Sequence, residues 1–442
     1  MNEGDQPSSD GDTIGYWEAV SIGVGGMVGG GIFAVLGLAV GVGGGGTFLA
    51  FLLAGLVALL TTYSYAHLAV ALPSDGGTVT YLDEAFGTGR IAGSLNVLLW
   101  LSYVVTTSLY AYAFGSYGTT LVSSSSNPFV LHLLISGSIV VITALNVLSA
   151  TLIAAAEDYI VAAKIAILVG FVGYALTRTD LGASAPSQWA SPGSLIAGGM
   201  LIFVAYEGFE LIANSADDVR NAERAVPRAL YTSVVFTIAL YMLVGIVTVG
   251  LLSLSKIQQA ADFALAEAAK QVWGTIGFDL IVVAALLSTA SAINATLYGT
   301  ARLSVEIALD GELPTALETK IAGKPLVGLF VTSGAALAIA NLVPLDAISS
   351  VASAGFLIVF AAVNVANVRL AERTKSHAAI SLVAAAACIG ALIALLVHTG
   401  RDQPGVLYLL AGIVALTVLG EATYQARRSR RPLATAGPSS QD

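Results

Sequence analysis

Charge is scarce in this chain. Only 11% of its 442 residues are Asp, Glu, Lys or Arg, against 56% hydrophobic ones, and the mean hydropathy is +0.83. A soluble domain carries about 25% charged residues, so an ordinary water-soluble globule is excluded. Cysteine is nearly absent too: Cys388 stands alone, which rules out an intrachain disulfide and a cysteine-built metal cluster. The histidines (His67, His132, His377 and His398) are scattered with no HExxH-like spacing, and no GxxxxGK[ST] run occurs. No catalytic residue, metal ligand or cofactor is therefore expected, and ATP-driven work by this chain alone has no sequence basis. The net charge of -9 gives no footing for nucleic acid. The opening thirteen residues are acidic and polar, without the basic region and small-residue cleavage site of a signal peptide, so the first apolar run is expected to be retained.

What the chain does have is long apolar runs. Stretches of about 20 residues recur along nearly its whole length, whereas membrane strands would alternate over about 10. Twelve membrane helices are expected, near 17-40, 46-71, 93-121, 129-149, 153-177, 194-213, 229-253, 276-308, 325-343, 347-368, 378-398 and 405-424. They make one transmembrane domain over 16-425, between an acidic tail (1-15) and a basic one (426-442). With the N-terminus inside, fourteen basic residues fall in inner loops (Arg90, Arg220, Arg224, Arg228, Arg302, Lys320, Lys324, Arg369, Arg373, Lys375, Arg427, Arg428, Arg430, Arg431) and four outside (Arg178, Lys256, Lys270, Arg401). That asymmetry predicts a multi-pass protein of the plasma membrane with both termini cytoplasmic. The 214-228 loop reads as a charged inner turn stopping at Pro227, and 254-275 as an amphipathic helix outside.

Two runs contradict the logic of a membrane helix. "GVGGMVGGGIFAVLG" (Gly23 to Gly37) places glycines in the middle of span 1, although each costs roughly 1 kcal/mol relative to alanine. Span 6, "LIFVAYEGFELIANSADD", puts Gly208 between Glu207 and Glu210. Gly30 and Glu207 each lie roughly 20 Å into their spans, near the midplane. Unpaired backbone at that depth costs several kcal/mol per group unless protein, water or ligand satisfies it. Two breaks near the midplane therefore make a polar site. The half-helix starting near Ile32 would offer N–H groups and a positive dipole end to a carboxylate, and the carbonyls near Val204 and Ala205 would favour an ammonium. Gly29, Gly30 and Gly31 would let a ligand reach the backbone. Close helix packing through small residues is the competing explanation for the glycines. Spans 1 and 6 cross in opposite directions, as the first helices of a five-plus-five inverted repeat do.

With these residues in view, the chain resembles the amino acid-polyamine-organocation permeases. The resemblance rests on four blocks in order: "VGGGIF" (Val28 to Phe33), "LPSDGGTVTYLDEAFG" (Leu72 to Gly87), "FVAYEGFELIANSADDVRNAERAVPRA" in and after span 6, and "SAINATLYGTARLSVEIALDGELP" (Ser291 to Pro314). Two positions depart from the family pattern: Gly30, where relatives often have Ser or Ala, and Asn221-Ala222 in place of Asn-Pro. The resemblance implies an all-α, LeuT-like fold with discontinuous helices 1 and 6. Substrate would sit against Val28, Gly29, Gly30, Gly31 and Ile32 on one side and Phe203, Val204, Ala205, Tyr206, Glu207 and Gly208 on the other. Tyr206 would be a lid or ordinary packing.

Lys164 lies about 16 Å into span 5, where an ionised group costs roughly 3 kcal/mol. The resemblance implies that its ammonium replaces the sodium ion of sodium-coupled relatives, against carbonyls around Val24 and Gly25 and hydroxyls among Ser288, Thr289 and Ser291. Static pairing with Glu157 or Asp158 is the alternative. Glu207 and Glu210 need protons, partners or water. Asp217, Asp218 and Arg220 are candidates for an inner-gate salt-bridge network with Arg90 or Arg302. The function expected is secondary active transport of an amino acid or related amine across the bilayer, with protons as the coupling ion. Exchange is the alternative, and a transporter-shaped sensor or channel a remoter one.

Overall fold

The structure is a computed structural model that describes residues 14–74, 76–122, 127–148, 150–321 and 323–428. The acidic opening tail up to residue 13, together with Arg430 and Arg431, lies outside the described residues, as do the side chains of Asp158, Arg427 and Arg428.

A chain segment in lipid has to satisfy its own N–H and C=O groups, so each apolar run becomes a helix. In order these are α1 (Tyr16–Met27), α2 (Gly31–Gly43), α3 (Thr47–Ala71), α4 (Thr78–Phe86), α5 (Arg90–Val122), α6 (Pro128–Leu148), α7 (Ala150–Ala175), α8 (Pro192–Leu201), α9 (Leu211–Asn214), α10 (Ala222–Leu251), α11 (Leu254–Gln259), α12 (Ala264–Leu309), α13 (Leu326–Leu342), α14 (Leu345–Arg369), α15 (Ala371–Thr374), α16 (Ala378–Asp402) and α17 (Pro404–Arg428). Among the described residues, extended pairing is confined to three isolated bridges.

Seven helices are long and apolar enough to cross a membrane, and the pair α1 and α2, bent by 48°, makes an eighth. Four shorter apolar helices follow the other expected spans: Tyr159–Ala175, Pro192–Leu201, Leu326–Leu342 and Pro404–Gly420. The chain is thus an all-α, multi-pass membrane protein. Helix α8 is short because span 6 loses its helical course after Leu201. The apolar stretches of α5 and α14 are 78% buried, whereas those of α6 and α16 are 28% and 33% buried, so the first two form the centre and the latter two face lipid.

Two expected boundaries move. Helix α10 starts at Ala222, with Pro227 inside it, rather than at 229. Asn221, in the left-handed region at φ 55°, reverses the chain before the helix, and Pro227 removes only one early N–H donor. The 254-275 segment is not one amphipathic helix but α11, a 3-10 turn at Ala261–Phe263 and the first part of α12, which breaks at Gly274 (φ 65°). The inner loop after α3 folds into α4. That helix is held by the Arg369 guanidinium 4.6 Å from the centre of the Phe86 ring and by Arg373 paired with Glu84 at 2.6 Å.

Candidate functional site

Both breaks are present. Helix α1 stops at Met27 and α2 begins at Gly31. After α8 the chain runs through a 3-10 turn (Phe203–Tyr206), an extended Glu207 and Gly208 at φ 115° before α9. The breaks touch through bare backbone. A Cβ on Gly208 would stand 2.6 Å from the Gly26 carbonyl carbon, and one on Gly31 would stand 2.8 Å from the Cα of Ala205. Glycine here does what the packing explanation requires, bringing two backbones together.

The carbonyls freed at the breaks are met by side chains from other helices. Tyr241 on α10 donates to Met27 O at 2.6 Å and to Ala205 O at 3.2 Å. Ser288 on α12 lies 2.9 Å from both Val28 O and Gly29 O. Ser349 and Ser353 on α14 donate to Leu201 O at 2.7 and 3.0 Å, and the Ser353 hydroxyl accepts from the Val204 N–H. The first-turn N–H groups of α2 have no partners within their own helix and keep the positive end of its dipole.

A cavity of about 430 Å³ lies beside the junction. It is walled by Gly25 and Gly26 of α1, Tyr110 of α5, Asn146 of α6, Glu157 and Val161 of α7, Glu207, and a face of α12 that includes Ser291, Asn294, Ala295 and Tyr298. Its deep end stops at a buried pair, the Tyr110 hydroxyl donating to Glu207 Oε2 at 2.8 Å. The Tyr110 ring occupies the space that a Gly30 side chain would fill, its Cδ1 2.4 Å from the position of that Cβ. Val28 to Ile32, Phe203 to Tyr206 and Gly208 are buried and do not line the cavity. Glu210, fully buried, accepts from Tyr103 at 3.0 Å and from the Gly208 N–H at 2.9 Å, which braces the turn. Tyr206 is no lid here: its hydroxyl donates to Phe51 O on α3 at 2.8 Å and its ring packs on Tyr241.

Lys164, 1% exposed, donates to Gly25 O at 2.8 Å. Among the described side chains it forms no ion pair, so the static bridge to Glu157 is not made. The hydroxyls grouped with it divide otherwise. Ser288 caps the α1 break, Thr289 donates to Ala285 O within its own helix at 2.7 Å, and Ser291 donates to Glu157. The neighbouring Val24 carbonyl accepts from the Val28 N–H at 2.7 Å. Among the described residues the ion pairs seen do not involve Asp217, Asp218 or Arg220. Backbone does the fastening instead: Ile14 N–H donates to Asp218 O at 2.8 Å and Arg220 N–H to Ile14 O at 2.9 Å.

The tyrosines of α5, absent from the motifs above, carry a signal of their own in the sequence. Tyr103, Tyr110 and Tyr117 recur every seventh residue, which aligns them on one face of a helix, and each is buried toward the breaks. Tyr241, Ser349, Ser353, Asn146 and Asn294 carried no comparable pattern.

A sequence profile described as amino acid permease matches residues 14–419. Relatives have matching lengths. The inner membrane transport protein YbaT of Escherichia coli is 33% identical over 403 residues, 90% of each chain. An uncharacterised protein of Methanocaldococcus jannaschii is 32% identical over 413 residues, 93% of this chain and 94% of that one. The methylthioribose transporter of Bacillus subtilis is 25% identical over 386 residues, 82% of this chain and 81% of the other. A match over nearly the whole length, to a fold of this kind, places the chain in the amino acid permease family of the amino acid-polyamine-organocation superfamily: it is a membrane transporter and not an enzyme.

Proposed function

We propose that this chain is a secondary active transporter that takes up an amino acid across the plasma membrane by alternating access, coupled to protons. In this reading there are twelve spans, the four short apolar helices being counted with the other eight, arranged as a five-plus-five inverted repeat with both termini cytoplasmic. The observation that carries it is the contact of two interrupted helices at Gly26 and Gly208, with the donor-rich start of α2 on one side and the Glu207 carboxyl on the other. The α2 end suits a substrate carboxylate. Because Tyr241 already engages the Ala205 carbonyl, Glu207 is the better acceptor for the substrate's ammonium. The cavity is the path from the N-terminal side, closed at its end by Tyr110, whose ring must leave Gly30 before substrate can meet the α2 backbone.

Lys164 is the coupling group in this reading. Protonated, it ties α7 to Gly25 at the edge of the break by a charge-assisted hydrogen bond, and deprotonation weakens that tie. One proton moving down about 100 mV supplies roughly 2.3 kcal/mol, enough for about 50-fold accumulation. The test is uptake of radiolabelled amino acids into liposomes under an imposed pH gradient, for the native chain and Lys164→Ala. Concentrative uptake abolished by a proton ionophore, and gradient-independent in the variant, is expected. Unchanged proton dependence in Lys164→Ala removes Lys164 from coupling. Uptake that requires internal amino acid and ignores the gradient replaces symport by exchange.

A further inference from the structure

The junction of the breaks accounts for only the deep end of the cavity. The opposite wall is built from three other helices and is polar without evident structural need. On α7, Glu157 accepts the Ser291 hydroxyl of α12 through Oε1, which leaves its second oxygen for another partner. On α6, the Asn146 amide donates to Ile142 O at 3.0 Å and to Asn294 Oδ1 at 2.7 Å. The pair then presents one amide oxygen, that of Asn146, and one NH₂ group, that of Asn294, on the cavity side. Ser291, Asn294, Ala295 and Tyr298 share one face of α12 at helical spacing, so the wall is continuous. Asn146 and Ser291 are 6% and 5% exposed, so both are fixed by packing rather than solvated. Among the described lining residues there are two carboxyl groups, Glu157 and Glu207, and no Lys, Arg or His. Lys164, bonded to Gly25 O, is a cation that Glu157 feels from outside the lining, and a low-dielectric cleft whose own lining carries carboxyl groups favours a cationic ligand.

We propose that Glu157, braced by Ser291, forms with the Asn146 amide oxygen, which Asn294 orients, a second subsite that binds the ammonium group of a substrate between the helix breaks and the N-terminal side of the membrane. This rests on the transport reading only in taking the cavity as the path. The subsite stands on α6, α7 and the part of α12 beyond its Gly274 break, outside the two interrupted spans, so it can hold an ammonium while α1 and the span 6 break rearrange. Glu157 and Glu207 then form two stations, one at each end of the same cavity.

A thiol probe tests this without knowledge of the substrate. In the full chain carrying Cys388→Ala and Ala295→Cys, purified in detergent, the thiol is reacted with 2-aminoethyl methanethiosulfonate, which bears an ammonium, and with the anionic 2-sulfonatoethyl reagent. After normalisation to free cysteine, the ammonium reagent is expected to react about tenfold faster than its partner. Glu157→Gln should abolish that preference, and Ser291→Ala, which only unbraces the carboxylate, should reduce it. Glu207→Gln should leave most of it. A preference untouched by Glu157→Gln, or abolished by Glu207→Gln alone, overturns the proposal. So does sodium or potassium chloride suppressing the preference more than N-methylglucamine chloride at equal ionic strength, because the site would then be one for an inorganic cation. In liposomes, Glu157→Gln should raise KM about tenfold for substrate offered on the N-terminal side and leave KM on the other side unchanged. Equal shifts on both sides refute an exit-side role. If none of the amino acids is transported, the transport reading fails while the thiol measurement still decides the subsite.

Discussion

Gly208 holds a backbone angle, φ 115°, that side chains rarely adopt, and its Cα faces the Gly26 carbonyl with no room for a methyl. Alanine there meets strain and a backbone collision together, each costing about 1–3 kcal/mol. Gly208→Ala is expected to lower the melting temperature in detergent and cut uptake at least about tenfold. Gly41→Ala, on α2 with nothing within 4 Å of the added methyl, should leave both unchanged or raise stability slightly. A second residue-level prediction concerns Tyr241. Its hydroxyl serves Met27 O and Ala205 O at once, so Tyr241→Phe strands two buried carbonyls, at about 1–3 kcal/mol each. The variant should lose thermal stability while keeping its ring packing against Phe51 and Tyr206. That the glycines mark breaks was legible in the sequence, because a helix former was missing where one was needed. That Tyr241 and Ser288 answer them was not, since hydrogen bonds between separate helices, 36 to 260 residues apart, leave no local pattern.

Helix α4 is where element-scale electrostatics can be read in solution. Its Asp83 accepts from Asn96 Nδ2 at 3.2 Å, and the same amide donates to Glu312 Oε2 at 2.8 Å, so one donor on α5 serves two carboxylates. Burial, and then the charges of Asp310 and Glu84, raise the Asp83 carboxyl to about 6 from its usual 3.8, against the lowering effect of the Asn96 hydrogen bond. With the folded value above the unfolded one, the docking of α4 is fully supported below about 4 and loses that support as the pH rises through 6. Asp83→Asn keeps the acceptor without the charge. It should melt at a higher temperature than the native chain at pH 8 and show no advantage at pH 4, and a constant difference across that range would refute the electrostatic cause. The existence of α4 was not foreseen within the 72-92 loop. Its anchors, Arg369 on Phe86 and Arg373 on Glu84, come from the distant α14 and α15, and a nine-residue helix between polar neighbours has too short a period to announce itself.

For the molecule as a whole, α1 is fastened along its length to one set of partners and borders the cavity on another side. Ile14 pairs with the backbone of 218–220, Tyr16 OH meets Thr232 Oγ1 at 2.8 Å, and Ser233 donates to Val20 O at 3.2 Å, so α1, the loop after α9 and α10 form one body. At the cavity edge Gly25 lies against Val161, a Cβ there standing 2.9 Å from Val161 Cγ2; Ile22 and Ala295 line the same cavity, and the Lys164 bond to Gly25 is the described side-chain hydrogen bond that bridges α7 and α1. Cysteines at Ile14 and Val219, joined by a short cross-linker in a Cys388→Ala background, should leave uptake within about twofold of the uncrosslinked protein. A cross-link between Ile22→Cys and Ala295→Cys should abolish it. Transport lost with the first link would show that α1 must part from the 218–220 loop.

Composition alone determined that this chain lives in a membrane as helices, because apolar runs of that length leave the backbone no other way to satisfy itself. The same rule made the glycine runs of spans 1 and 6 stand out as interruptions, since it is local and can be applied segment by segment. Which breaks touch, which hydroxyls cap the freed carbonyls, that Tyr110 covers Gly30, and that Ser291 serves Glu157 rather than Lys164 were decided only by tertiary structure. Those outcomes depend on the relative rotation and depth of helices far apart in the chain, and a helix's own sequence specifies its lipid face far more strongly than the neighbour its polar face will meet.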